Sequence, residues 1–406
     1  MKRTLTIMAG TLALLASSAL SSFAADKEIS WIYCGDKIDP IHEKYIKVWE
    51  EKNPGWKVAP EVVGWEQCQD KATTLAAAGT PVAMAYVGSR TLKEFAENDL
   101  IVKVPMTDEE KKSYYPHIVD TVTFDGTQWG VPIAFSTKAL YWNKDLFKKA
   151  GLDPETPPKT WAEEIAFAKQ IKEKTGIAGY GLPAKTFDNT MHQFMHWVYT
   201  NNGKVIDGDK IVMDSPEVLA ALKAYKDITP YSVEGATAYE QNEIRAIFLD
   251  GKAGMIQNSS GAAYRLLKTD MHWGVTTLPL GPEAKGPGTL LITDSLAIFK
   301  GSGVEDKATE FAKYITSAGP QEEYELTTDS GLTPLRPSPK VDQLIKDKPY
   351  WKPFIDGIAY GGPEPLFKDY KGFQNVMIEM VQSVVTGKAE PEAALKKAAA
   401  GIDQYK

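Results

Sequence analysis

The chain has 406 residues, 43% hydrophobic and 24% charged, with 46 basic side chains against 53 acidic ones and a formal charge of −7. That apolar share excludes wholesale disorder, and the length suits two or three globular units or one fold with two lobes. No basic patch interleaved with aromatics stands out, which argues against a nucleic-acid partner.

Residues 1–24 read as a secretory leader. Lys2 and Arg3 precede an apolar run from Leu5 to Leu20, and Ser22-Phe23-Ala24 places small residues before a cleavage point. The run is too short and too interrupted by Ser and Thr for a membrane anchor, and no later stretch reaches the ~20 apolar residues a span needs. The expectation is an exported, soluble, periplasmic protein of charge −9 once Lys2 and Arg3 are removed. Export gives weight to Cys34 and Cys68, the only two cysteines. In an oxidising compartment a disulfide between them is favoured over two free thiols, and no Cys-x-x-Cys spacing suggests a redox pair.

Glu28 to Cys34 reads as a strand. Asp39 and Pro40 then open a helix running to Lys52, with Ile41, Tyr45 and Val48 on one stripe. Trp56 to Val63 is a second strand, Gln67 to Ala78 a helix, Val82 to Val87 a strand apolar enough to be buried on both faces, and Leu92 to Glu97 a helix. This alternation predicts a mostly parallel sheet covered by helices, with ligands beyond the carboxyl ends of its strands. Those ends are Gly35-Asp36-Lys37, Gly64-Trp65-Glu66-Gln67 and Gly88-Ser89-Arg90. A second block follows Trp129 to Ile133. Its helices are read over 142–149, 161–174, 191–199, 216–225, 240–249 and 261–268, and its strands over 254–258, 273–278 and 290–299. The proline-rich stretch 320–339 reads as a loop, and helices over 373–385 and 391–402 close the chain.

Chemical motifs are sparse. His192 and His196 stand one helical turn apart, but Gln193 occupies the position where a metalloprotease carries its Glu, and a third ligand would have to come from elsewhere. Structural or cleft-lining histidines are favoured over zinc. Nucleophile elbows, phosphate loops and Ser-x-x-Lys are absent. Paired carboxylates for glycoside cleavage could be drafted from many acidic residues, so that signal has almost no specificity. Trp65, Trp142, Trp197 and Trp273 lie near Gly or polar residues at element ends, where an indole can take the C–H face of a sugar; core packing is the default for any one of them.

Four segments carry a resemblance: Trp31-Ile-Tyr-Cys-Gly-Asp-Lys37, Gly130 to Phe147, Gly251-Lys-Ala-Gly-Met-Ile256, and Thr386 to Leu395. In order and spacing they resemble the extracellular solute-binding proteins of bacterial ABC importers, of the carbohydrate class related to maltodextrin-binding protein, over nearly the whole mature chain. The resemblance implies an α/β, periplasmic-binding-protein type II fold: two α/β lobes joined by a hinge, with the ligand cleft between them. The implied lobes are 25–136 plus 294–336, and 137–293 plus 337–406. The chain departs from the maltodextrin pattern where Ser259 follows Asn258 in place of Trp, where Gln374 beside Phe373 replaces a stacking Trp, and where Ser136 replaces a carboxylate. Those losses shift the expected ligand from long maltodextrins to a small carbohydrate, glycoside or polyol.

The implied site draws Asp36, Lys37, Trp65, Glu66, Gln67, Ser89 and Arg90 from the first lobe and Ser136 and Thr137 from the crossing. His192, His196, Asn258, Ser259 and Trp273 face them. Asp294, Arg336 and Tyr360 complete the set near the later crossings, with Arg336 able to clamp a hydroxyl pair or an anionic substituent. No cofactor or catalytic residue is expected, and the expected partner, for a monomeric chain, is a membrane permease. The competing readings are a secreted glycosidase-like enzyme, or the same fold holding a polyamine or organic anion.

Overall fold

The computed structural model describes residues 27–65, 67–208, 210–327 and 332–406; the leader and Glu66 lie outside these. Its first sheet is built on β1 (Lys27–Cys34), β2 (Trp56–Val63) and β3 (Met84–Gly88), with β2 and β3 parallel to β1 on either side. All five residues of β3 are buried, as an unbroken apolar run in a covered sheet should be. Between β1 and β2 runs helix Pro40–Lys52. The Asp39 carboxylate caps it, accepting from the Ile41 N–H at 2.8 Å, and Pro40 sits in the first turn where its missing donor costs nothing.

The buried stripe of that helix is His42, Ile46 and Trp49, one residue on from the expected Ile41, Tyr45 and Val48. The cause is packing from a second side. Trp49 meets Phe311 edge-on at 5.2 Å, and His42 lies against Tyr324 at 4.2 Å, so helices Glu305–Ile315 and Ala318–Thr327 rotate the covered face. The second of these helices corrects the reading of 320–339 as a loop throughout. Pro320 falls in its first turn, where no intrahelical acceptor is waiting for an N–H.

After β3 the chain makes β4 (Val131–Ser136) and then β5 (Ala139–Asn143), which begins the second sheet with β6 (Ala178–Gly181), β7 (Ala253–Asn258) and β8 (Trp273–Thr276) in the order β8-β5-β7-β6. Trp142, read as a helix start, belongs to β5; the helix begins at Lys144, where the Asn143 side chain accepts from the Leu146 N–H at 3.0 Å. The chain then returns through β9 (Leu290–Ile298), which runs antiparallel to both β3 and β4 and sits between them. The register of β9 on β4 slips between Asp294 and Ser295.

Each sheet has its own apolar core. The first gathers Trp31, Trp49, Phe95, Phe299 and Phe311. The second holds Trp142, Trp161, Trp197, Phe194 and Tyr225, with Trp197 wholly buried between Trp161 (5.1 Å) and Tyr225 (5.3 Å). Trp142 and Trp197 are thus packing residues. Among the described residues no helix is long and apolar enough to cross a membrane.

Cys34 and Cys68 are joined, with Cα atoms 5.6 Å apart and a separation of 34 positions in sequence. The unreduced protein is expected to give a Cys34–Cys68 cross-linked peptide by mass spectrometry. The Cys34→Ser, Cys68→Ser double variant should lose about 4 kcal/mol of stability on the chain-entropy account of a loop this long. Alkylation of both cysteines in the native, unreduced protein would contradict this.

Glu164 is wholly buried in the second core, and neither of its carboxyl oxygens has a hydrogen-bond partner among the described residues. Burial pushes its pKa from an ordinary 4.5 to about 8. The folded state therefore keeps a proton that the unfolded chain releases, and stability falls as pH rises from 4.5 to about 8. Glu164→Gln is expected to flatten that slope and to exceed the wild type by a few kcal/mol at pH 8.5, read by urea unfolding at both ends of the range. Parallel pH profiles would show that Glu164 is ionised in place.

Candidate ligand cleft

The carboxyl ends of β1, β2 and β3 open into a cavity of about 600 Å³ whose far wall belongs to the second sheet and its helices. Asp36 follows β1 and Trp65 follows β2. The disulfide ties the Trp65 turn to the end of β1, and the indole stands 50% exposed, edge-on to Tyr86 at 5.2 Å. The register slip in β9 delivers Asp294 to the same wall, as bulges beside sites often re-aim a side chain. Its carboxylate accepts from the Tyr86 hydroxyl at 2.9 Å. Burial, only partly offset by Arg90 and that hydrogen bond, pushes the Asp294 pKa up to about 6.

Arg90, at the end of β3, is the centre of the charge arrangement. Its guanidinium is 8% exposed and meets Asp188 at 2.9 Å, Glu364 at 3.3 Å and Asp294 at 3.6 Å, with the Tyr370 ring 5.6 Å away. The side chain folds back over Gly88, where a Cβ would stand 2.4 Å from the guanidinium carbon, so any larger residue at 88 would displace the guanidinium from this position. Glu364 in turn accepts from the Tyr370 hydroxyl at 3.2 Å and lies 2.6 Å from the His192 Nε2. Burial alone would raise the Glu364 pKa, but Arg90 and His192 outweigh it and hold the carboxyl below its usual range.

The far wall is made by the start of helix Asp188–Thr200, the first turns of helix Gln241–Leu249 with Arg245, the Ser259 turn after β7, and Gln374 on helix Tyr370–Val385. Lys138, directly after β4, completes the floor. It is 6% exposed, and burial together with Arg245 lowers its pKa to about 8.

Of the residues expected from sequence, Asp36, Trp65, Arg90, Ser136, His192, Ser259 and Asp294 line this cavity. The others stand elsewhere. Lys37 is exposed outside it, Gln67 flanks helix Cys68–Ala77, and Glu66 lies outside the described residues. Ser89 bonds Ser295 at 2.6 Å behind the wall, and Thr137 is buried, donating to the Phe354 carbonyl at 2.9 Å. His196 is wholly buried. Its Nδ1 accepts the Leu290 N–H at 3.1 Å, and burial with nearby Lys138 keeps it neutral. Asn258 is also wholly buried, its side-chain oxygen accepting the Ser259 N–H at 3.0 Å. Trp273 packs against Tyr141 and Tyr350 at 5.9 and 5.8 Å. Arg336 stacks 3.7 Å over Tyr114 beside a separate cavity of about 130 Å³, and Tyr360 does not reach the cleft. Among the described residues no three metal-ligating side chains gather in one place.

Tyr86, Lys138, Asp188, Arg245, Arg265, Glu364 and Tyr370 were not anticipated. Lys138 stands next to the expected Thr137, and Glu364 in a Gly-Gly-Pro-Glu-Pro turn, which are the only sequence signals that bear on them.

Two mixed α/β lobes face each other across a polar cleft, the arrangement of periplasmic binding proteins, and the likeness to solved structures makes the fold type II. The comparisons agree: the chain belongs to the bacterial extracellular solute-binding protein family, whose profile matches residues 44–352, and the protein is accordingly an exported one. It is 29% identical to a binding protein of Brucella abortus over 97% of both chains. It is 28% identical to the sn-glycerol-3-phosphate-binding periplasmic protein UgpB of Agrobacterium fabrum, over 67% of this chain and 66% of that one. Among solved structures, a Thermotoga lettingae solute-binding protein bound to α-D-tagatose superposes with a TM-score of 0.80 at 26% identity, covering 93% of this chain and 99% of the other. Maltose-bound MalE3 of T. maritima does so with a TM-score of 0.80 at 24% identity, covering 92% and 98%.

Removing Arg90 leaves Glu364 buried beside Asp188 and Asp294 without the guanidinium that bridges the three. Arg90→Ala is expected to cost about 3–5 kcal/mol at neutral pH, measured by chemical unfolding. The depressed Glu364 pKa contributes stability that is present above its unfolded value and lost as pH falls through its folded one. The deficit of Arg90→Ala should therefore shrink on acidification towards pH 4, and a deficit that grows would show that Glu364 is not the carboxylate Arg90 supports.

Proposed function

We propose that this chain is the capturing component of an ABC-type sugar importer, closing two lobes over a small carbohydrate, glycoside or polyol and presenting the closed form to a membrane permease. The observation that carries the reading is the composition of the cleft wall. Sugar hydroxyls need fixed acceptors, and Asp36, Asp70 and Asp294 stand on one side of a cavity about 600 Å³ in volume. A sugar ring needs a flat apolar face, and Trp65 offers half an indole to the same space. Structural neighbours bound to tagatose, maltose and ribitol support this class of ligand.

The proposed lobes are 25–136 with 294–336, and 137–293 with 337–406, so that the chain crosses three times: between Ser136 and Lys138, where β9 leaves Ile292 for Asp294, and after Arg336. Ligand held by both walls favours the closed arrangement by its differential affinity, and hinge closure follows from that alone. A monomeric binder with no chemistry of its own is sufficient for the task.

A thermal-shift screen over mono- and disaccharides, glycosides and polyols is the direct test, since ligand at 100 times its Kd stabilises by about 2.7 kcal/mol. One-to-one binding without turnover, together with a smaller radius of gyration by small-angle scattering, is expected; turnover of a chromogenic glycoside would overturn the binding reading. Trp65→Ala should weaken the ligand found in this way about 10- to 30-fold while leaving the ligand-free melting temperature nearly unchanged. Trp273→Ala should do the reverse, because its ring packs between Tyr141 and Tyr350.

A further inference from the structure

We infer that the solute carries an anionic group, a phosphate, sulfate or carboxylate, seated on Lys138, Arg245 and Arg265. This rests on the sugar-binding reading above and narrows it. The charges lining the cleft are sorted by side. Asp36, Asp70 and Asp294 lie on the wall of the first sheet, Arg245 and Arg265 on the opposite wall, and Lys138 on the floor beside them. The one carboxylate that lines that opposite wall, Asp188, is committed to Arg90 at 2.9 Å. Glu240, just behind it, is committed to capping helix Gln241–Leu249, where its Oε1 accepts the Asn242 and Glu243 N–H groups at 2.7 and 3.1 Å.

Lys138, Arg245 and Arg265 therefore have no carboxylate within ion-pair distance among the described residues. Lys138 is 6% exposed, Arg245 half-buried and Arg265 open to the cleft. A buried ammonium left without a counter-ion is unfavourable in the protein interior and is matched when a ligand brings the charge. Burial, and after it the neighbouring cation, lowers the pKa of Lys138 and of Arg245; Asp188, Asp294 and Glu240 offset this at Lys138, and Glu240 at Arg245, only in part. The two guanidinium groups supply planar, paired donors and the ammonium a compact charge, a set suited to an oxyanion. A polyamine would meet this wall with like charge. The hydroxylated part of the solute would then lie against Asp36, Asp294 and Trp65, across the cavity from its anionic end.

The test uses matched probes on the full mature chain, by thermal shift and calorimetry: glycerol with sn-glycerol 3-phosphate, and glucose with glucose 6-phosphate, glucose 6-sulfate and glucuronate. At least one anionic probe is expected to bind 100-fold or more tighter than its neutral partner, and the phosphate, sulfate and carboxylate arms identify which oxyanion is held. Arg265→Gln, an exposed change that should leave the ligand-free melting temperature unaltered, is expected to weaken that probe at least 10-fold. Lys138→Met with Arg245→Gln should weaken it at least 100-fold. Neutral probes binding as well as their anionic partners would overturn the anionic assignment and leave the sugar-binding reading standing. No binding by any probe would overturn both.

Discussion

A guanidinium shut away from water must find counter-charge in the protein, and Arg90 finds it on three separate stretches of chain. Asp294 comes from a slipped register in β9, Asp188 from the start of a helix in the second core, and Glu364 from the segment after Pro363. Glu364 then organises His192 and Tyr370. The same guanidinium borders both the main cleft and a second cavity of about 480 Å³ behind it, so one side chain forms part of the partition between them. Remove that charge and the cavity wall loses the group that holds Asp188 and Asp294 in place.

This arrangement explains why the two walls differ. Around Arg90 the carboxylates are in excess, and those nearest the first sheet are left with acceptor capacity facing the cavity. On the opposite wall the cations have no such partner. A solute that donates hydroxyls at one end and accepts cations at the other would satisfy both without rearranging either.

The first sheet was readable because its signals are local. Turn residues follow each strand, so Asp36, Trp65 and Arg90 could be placed at the mouth of a cleft from spacing alone. The crossing segment with Ser136 was legible through its resemblance to a known family. The second wall was legible only in part: the resemblance pointed to His192, Ser259 and Gln374, whereas Asp188 and Arg245 reach the cavity from helices whose rotation is fixed only by tertiary packing. The shifted stripe on the first helix has the same origin: two later helices cover it from a side the sequence period does not reveal. Trp65 and Trp273 show the limit most plainly. Each follows or begins a strand, yet one indole is half open and the other is packed beside Tyr350, which arrives from 77 residues further along the chain.

The position of β9 carries a consequence for how the chain is assembled. It lies between β3 and β4, so the interior of the first sheet is supplied by residues 290–298, after nearly all of the second sheet has been made. Until that segment emerges, β3 presents an unpaired and largely apolar edge, the kind of surface that pairs with whatever strand is nearest. A nascent chain of this protein is therefore most vulnerable to wrong partners during the interval between synthesis of residue 88 and residue 298. Such a topology favours helpers that hold the emerging chain open over rapid folding in order of synthesis.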